Sequence, residues 1–346
     1  MILDSAAVEL DAAAGPVIAY VDPDEVAAFA RALDDGDPRY QDGTLAPPTY
    51  SVTPALPVVH QLPGYPPAVA AAARAIVHGE HDMVLHRPLV PGTRIAVTAE
   101  RLGVVPTKAG LAIEQVVRVV AIGGEDEPGG TDVGTDVGIG GRADGGPGAG
   151  PGELLVEHHW VALLVGDAAG PARGAVPPDH TFPEEARARP VGTVALPTTR
   201  DQTFRYAGAS GDRNPMHVND EVARQRGFPR KFNQGLLTLG LAARGLVGLV
   251  AGGDPARLRR LAVRFAAPAF PGDDVEVTAY ELDGTPEGGA AYAFEAHAGG
   301  RAVLRHGRVE VRPAQDPGAG PAPGVQRRSR IVPVPSPPPQ HIVTSP

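Results

Sequence analysis

The chain contains no cysteine. This excludes disulfides, zinc ribbons and thiol nucleophiles, and it suits a reducing, cytoplasmic setting. Aromatic residues make up only 5%, so any core must rest on valine, leucine, isoleucine and alanine. The net charge is −9 and no basic stripe is present, which argues against nucleic-acid binding. No apolar run approaches the roughly 20 residues that a membrane helix needs. The opening MILDSAAVELDAAAG carries acids where a secretory leader would carry basic residues.

What is present points to two compact domains. A length of 346 residues is too great for one small domain, and 42% hydrophobic residues are enough for packed cores. Glycine (44) and proline (38) are in excess and collect in three stretches. Residues 123–152 hold 13 glycines and a TDVGTDVG stutter, which reads as a disordered loop insert. Residues 166–190 read as a Pro/Ala/Arg-rich linker, and residues 313–346, with ten prolines, as a disordered tail.

Comparing the chain with itself reveals a repeat. RPLVPGTRIAVTAE (87–100) and APAFPGDDVEVTAY (267–280) share Pro88/Pro268, Pro91/Pro271, Gly92/Gly272, Val97/Val277, Thr98/Thr278 and Ala99/Ala279, an offset of 180. In both, a Pro-Gly turn feeds a strand of alternating apolar and polar residues. FARALDDGDPRY (29–40) and YAGASGDRNPMH (206–217) repeat at an offset of 177, with Asp35 matching Asp212 and Tyr40 standing where His217 stands. Two homologous domains in tandem follow. The first copy predicts a helix over 66–78 and strands near 81–86, 93–102, 110–122 and 153–165. The second predicts a nearly all-apolar, buried helix over 235–250 and strands near 259–268, 273–282, 290–298 and 301–312. Each half is a long central helix wrapped by an antiparallel sheet, an α+β layout.

Chemistry concentrates in GASGDRNPMHVN (208–219). Asp212 and His217 stand in one Gly- and Pro-containing loop, where an acid and an imidazole can share a water and pass protons. The Asn214-Pro215 step restrains the backbone between them. Downstream, Gly235 opens the apolar helix, whose first turn offers unpaired N–H groups and a positive dipole end to a carbonyl oxygen gaining charge. Acid, base and oxyanion donor together suit proton chemistry α to a carbonyl, with water added to or lost from the β-carbon.

YAGASGDRNPMHVNDEVARQRGF, NQGLLTLGLAARGLV and RFAAPAFPGDDVEV resemble the MaoC-like, (R)-specific enoyl-thioester hydratase (hydratase 2) family over roughly residues 195–312. The first half, with FARALDDGDPRY, APPTY and HRPLVPG, is similar to the accessory subunit of actinobacterial acyl-carrier-protein dehydratases. The resemblance implies a tandem (double) hotdog fold. Residues 1–165 would form a degenerate, non-catalytic hotdog domain and 191–312 the catalytic one. It implies reversible hydration and dehydration between trans-2-enoyl and (R)-3-hydroxyacyl thioesters, in fatty-acid or polyketide metabolism. Asp212 and His217 would hold the water or departing hydroxyl, Asn214 would orient them, and the Gly235 N–H would bind the thioester oxygen. The first half would help to shape the acyl channel. No metal or redox cofactor is implied, because coenzyme A or an acyl-carrier protein delivers the substrate on a pantetheine arm. A homodimer of double hotdogs is a further possibility by fold analogy. Gln234 departs from the family, which commonly has histidine there.

Several residues carry two readings. Gln234 reads as a pocket-lining or helix-capping amide. Arg230 and Lys231 could touch a phosphate of coenzyme A, or serve as surface charge. His158 and His159 are adjacent on a strand and face opposite sides, which disfavours a shared metal. His78, His81 and His86 read as surface or interface residues. Two other functions stand beside the hydratase: a hotdog thioesterase, and a non-catalytic acyl-thioester-binding or scaffold protein.

Overall fold

A computed structural model describes residues 2–123, 150, 152–284 and 288–314. The expected glycine-rich insert lies almost wholly outside these residues, as does the expected tail from 315 onward.

The first half comprises β1 (Ala12–Tyr20), α1 (Pro23–Ala32), α2 (Val52–Val59), β2 (Ala75–Leu85), β3 (Arg94–Thr107), β4 (Gly110–Ala121) and β5 (Leu154–Val165). The second comprises β6 (Pro190–Leu196), α3 (Gln202–Ser210), α4 (Gly235–Val250), β7 (Leu258–Phe265), β8 (Val275–Leu282), β9 (Ala290–Ala298) and β10 (Arg301–Val311). The strands join in one antiparallel sheet in the order β1-β3-β4-β5-β2-β7-β10-β9-β8-β6. Each half contributes five neighbouring strands in the same internal order. The halves meet where β2 pairs with β7. Asp82 lies opposite Ala262 there, and these residues are 180 apart, the offset of the repeated Pro-Gly block. A local two-fold axis therefore passes through this pair. The Pro-Gly turns also match: Gly92 has φ 92° and Gly272 φ 94°, the left-handed conformation that makes glycine the residue of choice.

Helix α4 spans the predicted range. It is buried along most of its length, including Leu237, Leu239, Leu241 and Leu246. Four glycines weaken it by propensity, and close packing accounts for two of them. A Cβ at Gly245 would lie 2.8 Å from Val194, and one at Gly240 would lie 2.8 Å from Leu33 of the first half. Gly248 faces open space.

The first half differs from the sequence reading. The helix predicted over 66–78 is confined to Pro67–Ala72, and strand β2 begins at Ala75. Ile76 and Val77 favour an extended chain, and pairing of Ala75 with Val165 starts the ladder there. The helix wrapped by the first sheet is instead α2, with 8 residues against 16 in α4. Pro54 in its first turn is tolerated. Pro57 lies inside it, and burial of Val52, Ala55, Leu56 and Val58 holds the segment helical despite the lost N–H.

One buried cluster runs through both halves, from Phe29, Ile95 and Val117 to Leu239, Val277 and Phe294. Across it, the rings of Phe29 and Tyr206 stand 5.5 Å apart. The predicted linker is packed down. Phe182 and Ala186 sit against Ala293. Buried His180 donates from Nδ1 to the His306 carbonyl (2.6 Å) and lies 3.2 Å from Glu80 through Nε2. Among the described residues no helix is long and apolar enough to cross a membrane.

Candidate active site

Helix α3 ends at Gly211, whose φ of 78° turns the chain sharply. The Ser210 hydroxyl donates to the Tyr206 carbonyl (2.7 Å) and accepts the Asp212 N–H (3.2 Å), fixing where the acid leaves the helix. Asp212 Oδ1 accepts the Asn214 N–H at 3.3 Å. Asn214 Oδ1 accepts the Met216 N–H at 3.2 Å, which caps the turn Pro215–His217 that carries the imidazole. Asn214 thus acts locally, by shaping the segment between acid and imidazole.

His217 is buried. Its Nδ1 donates to the Phe232 carbonyl at 2.9 Å, since a carbonyl can only accept. In the neutral ring Nε2 then carries the lone pair. Burial pushes this imidazole below its ordinary value of 6.5. The Asp212 charge and the Phe232 hydrogen bond pull the other way without prevailing. A neutral ring poised to accept a proton follows.

Asp212, Asn214, His217 and Gly235 line one cavity of 540 Å³. Gly235 is the first residue of α4, where main-chain N–H groups have no intrahelical acceptor. The rest of the second-half wall is mainly apolar, including Phe228, Phe232, Leu236 and Phe265. The first half supplies the opposite wall, with Leu56, Val59, Tyr65, His78, Arg101 and Trp160 among its residues. An elongated apolar group can lie here with one end beside an acid, an imidazole and a helix N-terminus.

The remaining sequence candidates are placed differently. Gln234 neither lines the cavity nor caps α4 with its side chain. Its amide Nε2 donates to the carbonyls of Thr203 (3.1 Å) and Asp212 (3.2 Å), so it ties the acid's loop to the start of the helix. Arg230 lies over the Phe270 ring (4.8 Å), donates to the Pro271 carbonyl and stands 3.5 Å from Asp273. The Lys231 ammonium sits 4.1 Å from the Phe204 ring centroid. Neither lines the cavity. His158 and His159 do face opposite sides. His158 meets His81 (3.1 Å), whereas His159 meets Glu114 (2.6 Å) and Glu157 (3.4 Å). His86 is exposed. His81 is fully buried on the strand that joins the halves, an interface position and not a surface one. Its other neighbour, His78 (3.2 Å), stacks on Trp160. Among the described residues no group of three or more His, Asp or Glu could hold a metal ion.

Sequence reasoning missed Asn233, which is buried, lines the cavity and has no partner for either amide atom. The Tyr206 hydroxyl is buried without a partner as well, close enough to Asp212 to feel its charge. Unpaired buried polar atoms are uncommon, and these two surround the acid's loop. The sequence signal available for Asn233 was one of two adjacent amides just before an apolar helix, which is too common to single out.

Residues 183–288 match the family described as MaoC like domain. The chain is 30% identical over 259 residues to 3-hydroxyacyl-thioester dehydratase Y of Mycobacterium tuberculosis, covering 70% of this chain and 78% of that protein. Its fold is similar to a MaoC-like dehydratase of Phytophthora capsici, with a TM-score of 0.66 at 19% identity, covering 88% of this chain and 97% of that one. It is also similar to a Mycobacterium tuberculosis protein described as a double hotdog fold, with a TM-score of 0.51 at 14% identity over 88% of this chain and 96% of that one. The fold is a double hotdog.

Proposed function

The chain belongs to the MaoC-like dehydratase family, and on that premise we propose that it interconverts trans-2-enoyl and (R)-3-hydroxyacyl thioesters, with Asp212 and His217 acting through one water. The observation that carries this reading is the convergence of Asp212, His217 and Gly235 on one largely apolar cavity. In the hydration direction, the Asp212 carboxylate and His217 Nε2 hold the water. They take one of its protons as the oxygen bonds to C3. Electron density moves to the thioester oxygen, where the Gly235 N–H and the helix N-terminus receive the charge. C2 then takes a proton back from the same pair. Water adds as H and OH, and the pair ends as it began. Dehydration runs the same steps in reverse. The scheme needs no cofactor beyond the pantetheine thioester of coenzyme A or a carrier protein.

The test is hydration of crotonyl-CoA by the purified protein, followed through loss of the conjugated enoyl absorbance. Asp212→Asn should lower kcat by about 10²- to 10⁴-fold while ligand binding persists. Unimpaired turnover in that variant would remove Asp212 from the mechanism. Release of free coenzyme A instead of hydration would indicate a thioesterase. Binding without turnover in the native protein would indicate an acyl-thioester-binding protein.

A further inference from the structure

The first-half wall of the cavity carries polar groups that the hydration chemistry does not use. Arg101 on β3 lies opposite Gln115 on β4, Gln115 lies opposite Trp160 on β5, and Trp160 lies opposite His81 on β2. Residues directly opposite share a face, so these four form a row across the sheet. Arg101, Gln115 and Trp160 line the cavity, together with Tyr65. The Gln115 amide donates to the Tyr65 hydroxyl (3.4 Å), and the Arg101 guanidinium stands 4.7 Å from the centre of that ring.

Arg101 is 1% exposed, yet its hydrogen-bond acceptors are main-chain carbonyls alone, those of Glu9 (3.3 Å) and Pro63. Its Nε is buried with no partner, and among the described residues no carboxylate comes within ion-pair reach of it. In the same sheet, Arg260 pairs with Asp82 at 2.6 Å. Burying a cation without a counter-ion is costly, and two carbonyls return only part of that cost. A purely structural arginine, tying the Glu9 and Pro63 segments together, would not need a buried, unpaired Nε in a side chain that lines a cavity. A plain alkyl terminus here would press hydrocarbon against the guanidinium, whereas a carboxylate would supply the missing partner in a desolvated site, where such pairs are strong.

We propose that the first-half wall is a subsite for an acyl terminus bearing a carboxylate, with Arg101 determining specificity and Gln115 and Tyr65 completing the polar lining. This rests on the proposed hydratase reading and names its substrate class as ω-carboxyacyl thioesters.

The experiment uses the full chain and pairs of trans-2-enoyl-CoA substrates of matched length, with and without a terminal carboxylate, over a series of lengths. At the length that spans the cavity, kcat/KM for the carboxylated member should exceed that of the plain one. Arg101→Met should lower the ratio of the two by about 10- to 100-fold, and Arg101→Lys by less. Both substrates are read on one preparation, so loss of folded protein or of contacts to the coenzyme cancels. Gln115→Leu, which should lower the ratio in the same direction, serves if Arg101→Met does not fold. Preference for the plain substrate at every length, or an equal loss on both in Arg101→Met, overturns the inference. If no enoyl-CoA is turned over, the hydratase reading fails for coenzyme A substrates. Calorimetric binding of saturated carboxyacyl-CoA against its plain counterpart then decides the subsite: tighter binding that Arg101→Met abolishes supports it, and equal binding overturns it.

Discussion

The same corner of the fold occurs twice, and the two copies have had different fates. In the second half the Asn233 N–H bonds to the Ala269 carbonyl (2.8 Å), and in the first the Ala46 N–H bonds to the Leu89 carbonyl (2.9 Å). Two residues beyond each anchor stand Gly235 and Pro48. The cavity beside Gly235 measures 540 Å³, while the one beside Pro48 measures 10 Å³ and is closed by Leu45, Leu85, Leu89 and Leu258. Proline has no N–H to offer a thioester oxygen. Where the second half has His217, the first has Tyr40, buried and un-ionised, its hydroxyl pushed far up by burial first and by nearby carboxylates second. Asp35 is likewise raised, mainly by burial. The first half therefore has neither the imidazole nor the helix-start glycine, and its pocket beside Pro48 is closed, although Asp35 lines a separate groove of 910 Å³ with Arg31 and Arg205. It retains the sheet, which walls the other half's cavity. Divergence of a duplicated domain here kept the architecture while replacing the imidazole and the glycine.

This contrast can be broken or sharpened experimentally. The largest effect is expected from Gly235→Pro, which gives the second half the first half's donor-less residue. Proline suits a first helical position, so the fold should persist while kcat falls about 10²- to 10³-fold. Gly235→Ala keeps the N–H and adds a methyl 3.1 Å from the Phe265 ring. Its kcat should stay well above that of the proline variant, and equal losses would deny the N–H a role. Asp35→Asn, in the silent copy, should leave turnover at the native level.

Smaller effects concern packing and charge. Gly245→Ala places a methyl 2.8 Å from Val194 and should cost about 1–3 kcal/mol in urea unfolding through overpacking. By contrast, exposed Gly248→Ala should stabilise by about 0.5–1 kcal/mol through helix propensity alone. A reversed ranking would mean that α4 does not press on β6 as described. Buried His81 and His158 sit behind the first-half wall. Burial pushes His158 down to about 3 and His81 well below 6.5. The unfolded chain takes up protons below about pH 6.5 that the folded chain refuses. The His158 imidazole should therefore remove about 1.4 kcal/mol of stability per pH unit as pH falls from 6.5 toward 3, and His81 should act in the same direction. Urea midpoints that do not move between about pH 7 and pH 5 would count against both being buried and neutral.

Much of this was legible in the sequence where the signal was local. The range of α4 could be read because an apolar run starts and stops within one helix. The Asp212–His217 loop could be read because acid and imidazole lie five positions apart around a proline. Helix α2 was hidden by Pro54 and Pro57, which local rules count against a helix and tertiary burial overrides. Strand β2 was hidden by the alanine-rich run before it. Arg101 was partly legible: Ile95, Val97 and Ala99 mark the buried face of β3, and alternation continues it to 101. That a guanidinium stands there at a cavity rather than against a carboxylate depends on which strands flank it.

The sequence by itself determined the duplication, the alternation that makes the sheet and the placing of acid, imidazole and glycine within one half, because each is a matter of spacing along a short stretch of chain. Only the tertiary structure decided that Gln234 buttresses the acid's loop, that one corner stays open while its twin is filled, and that a buried arginine from the first half lines the open one. Those outcomes depend on groups that meet in space rather than along the chain, 22 positions apart for Gln234 and Asp212 and more than a hundred for Arg101 and the second-half residues of the cavity, and no local pattern encodes which of them meet.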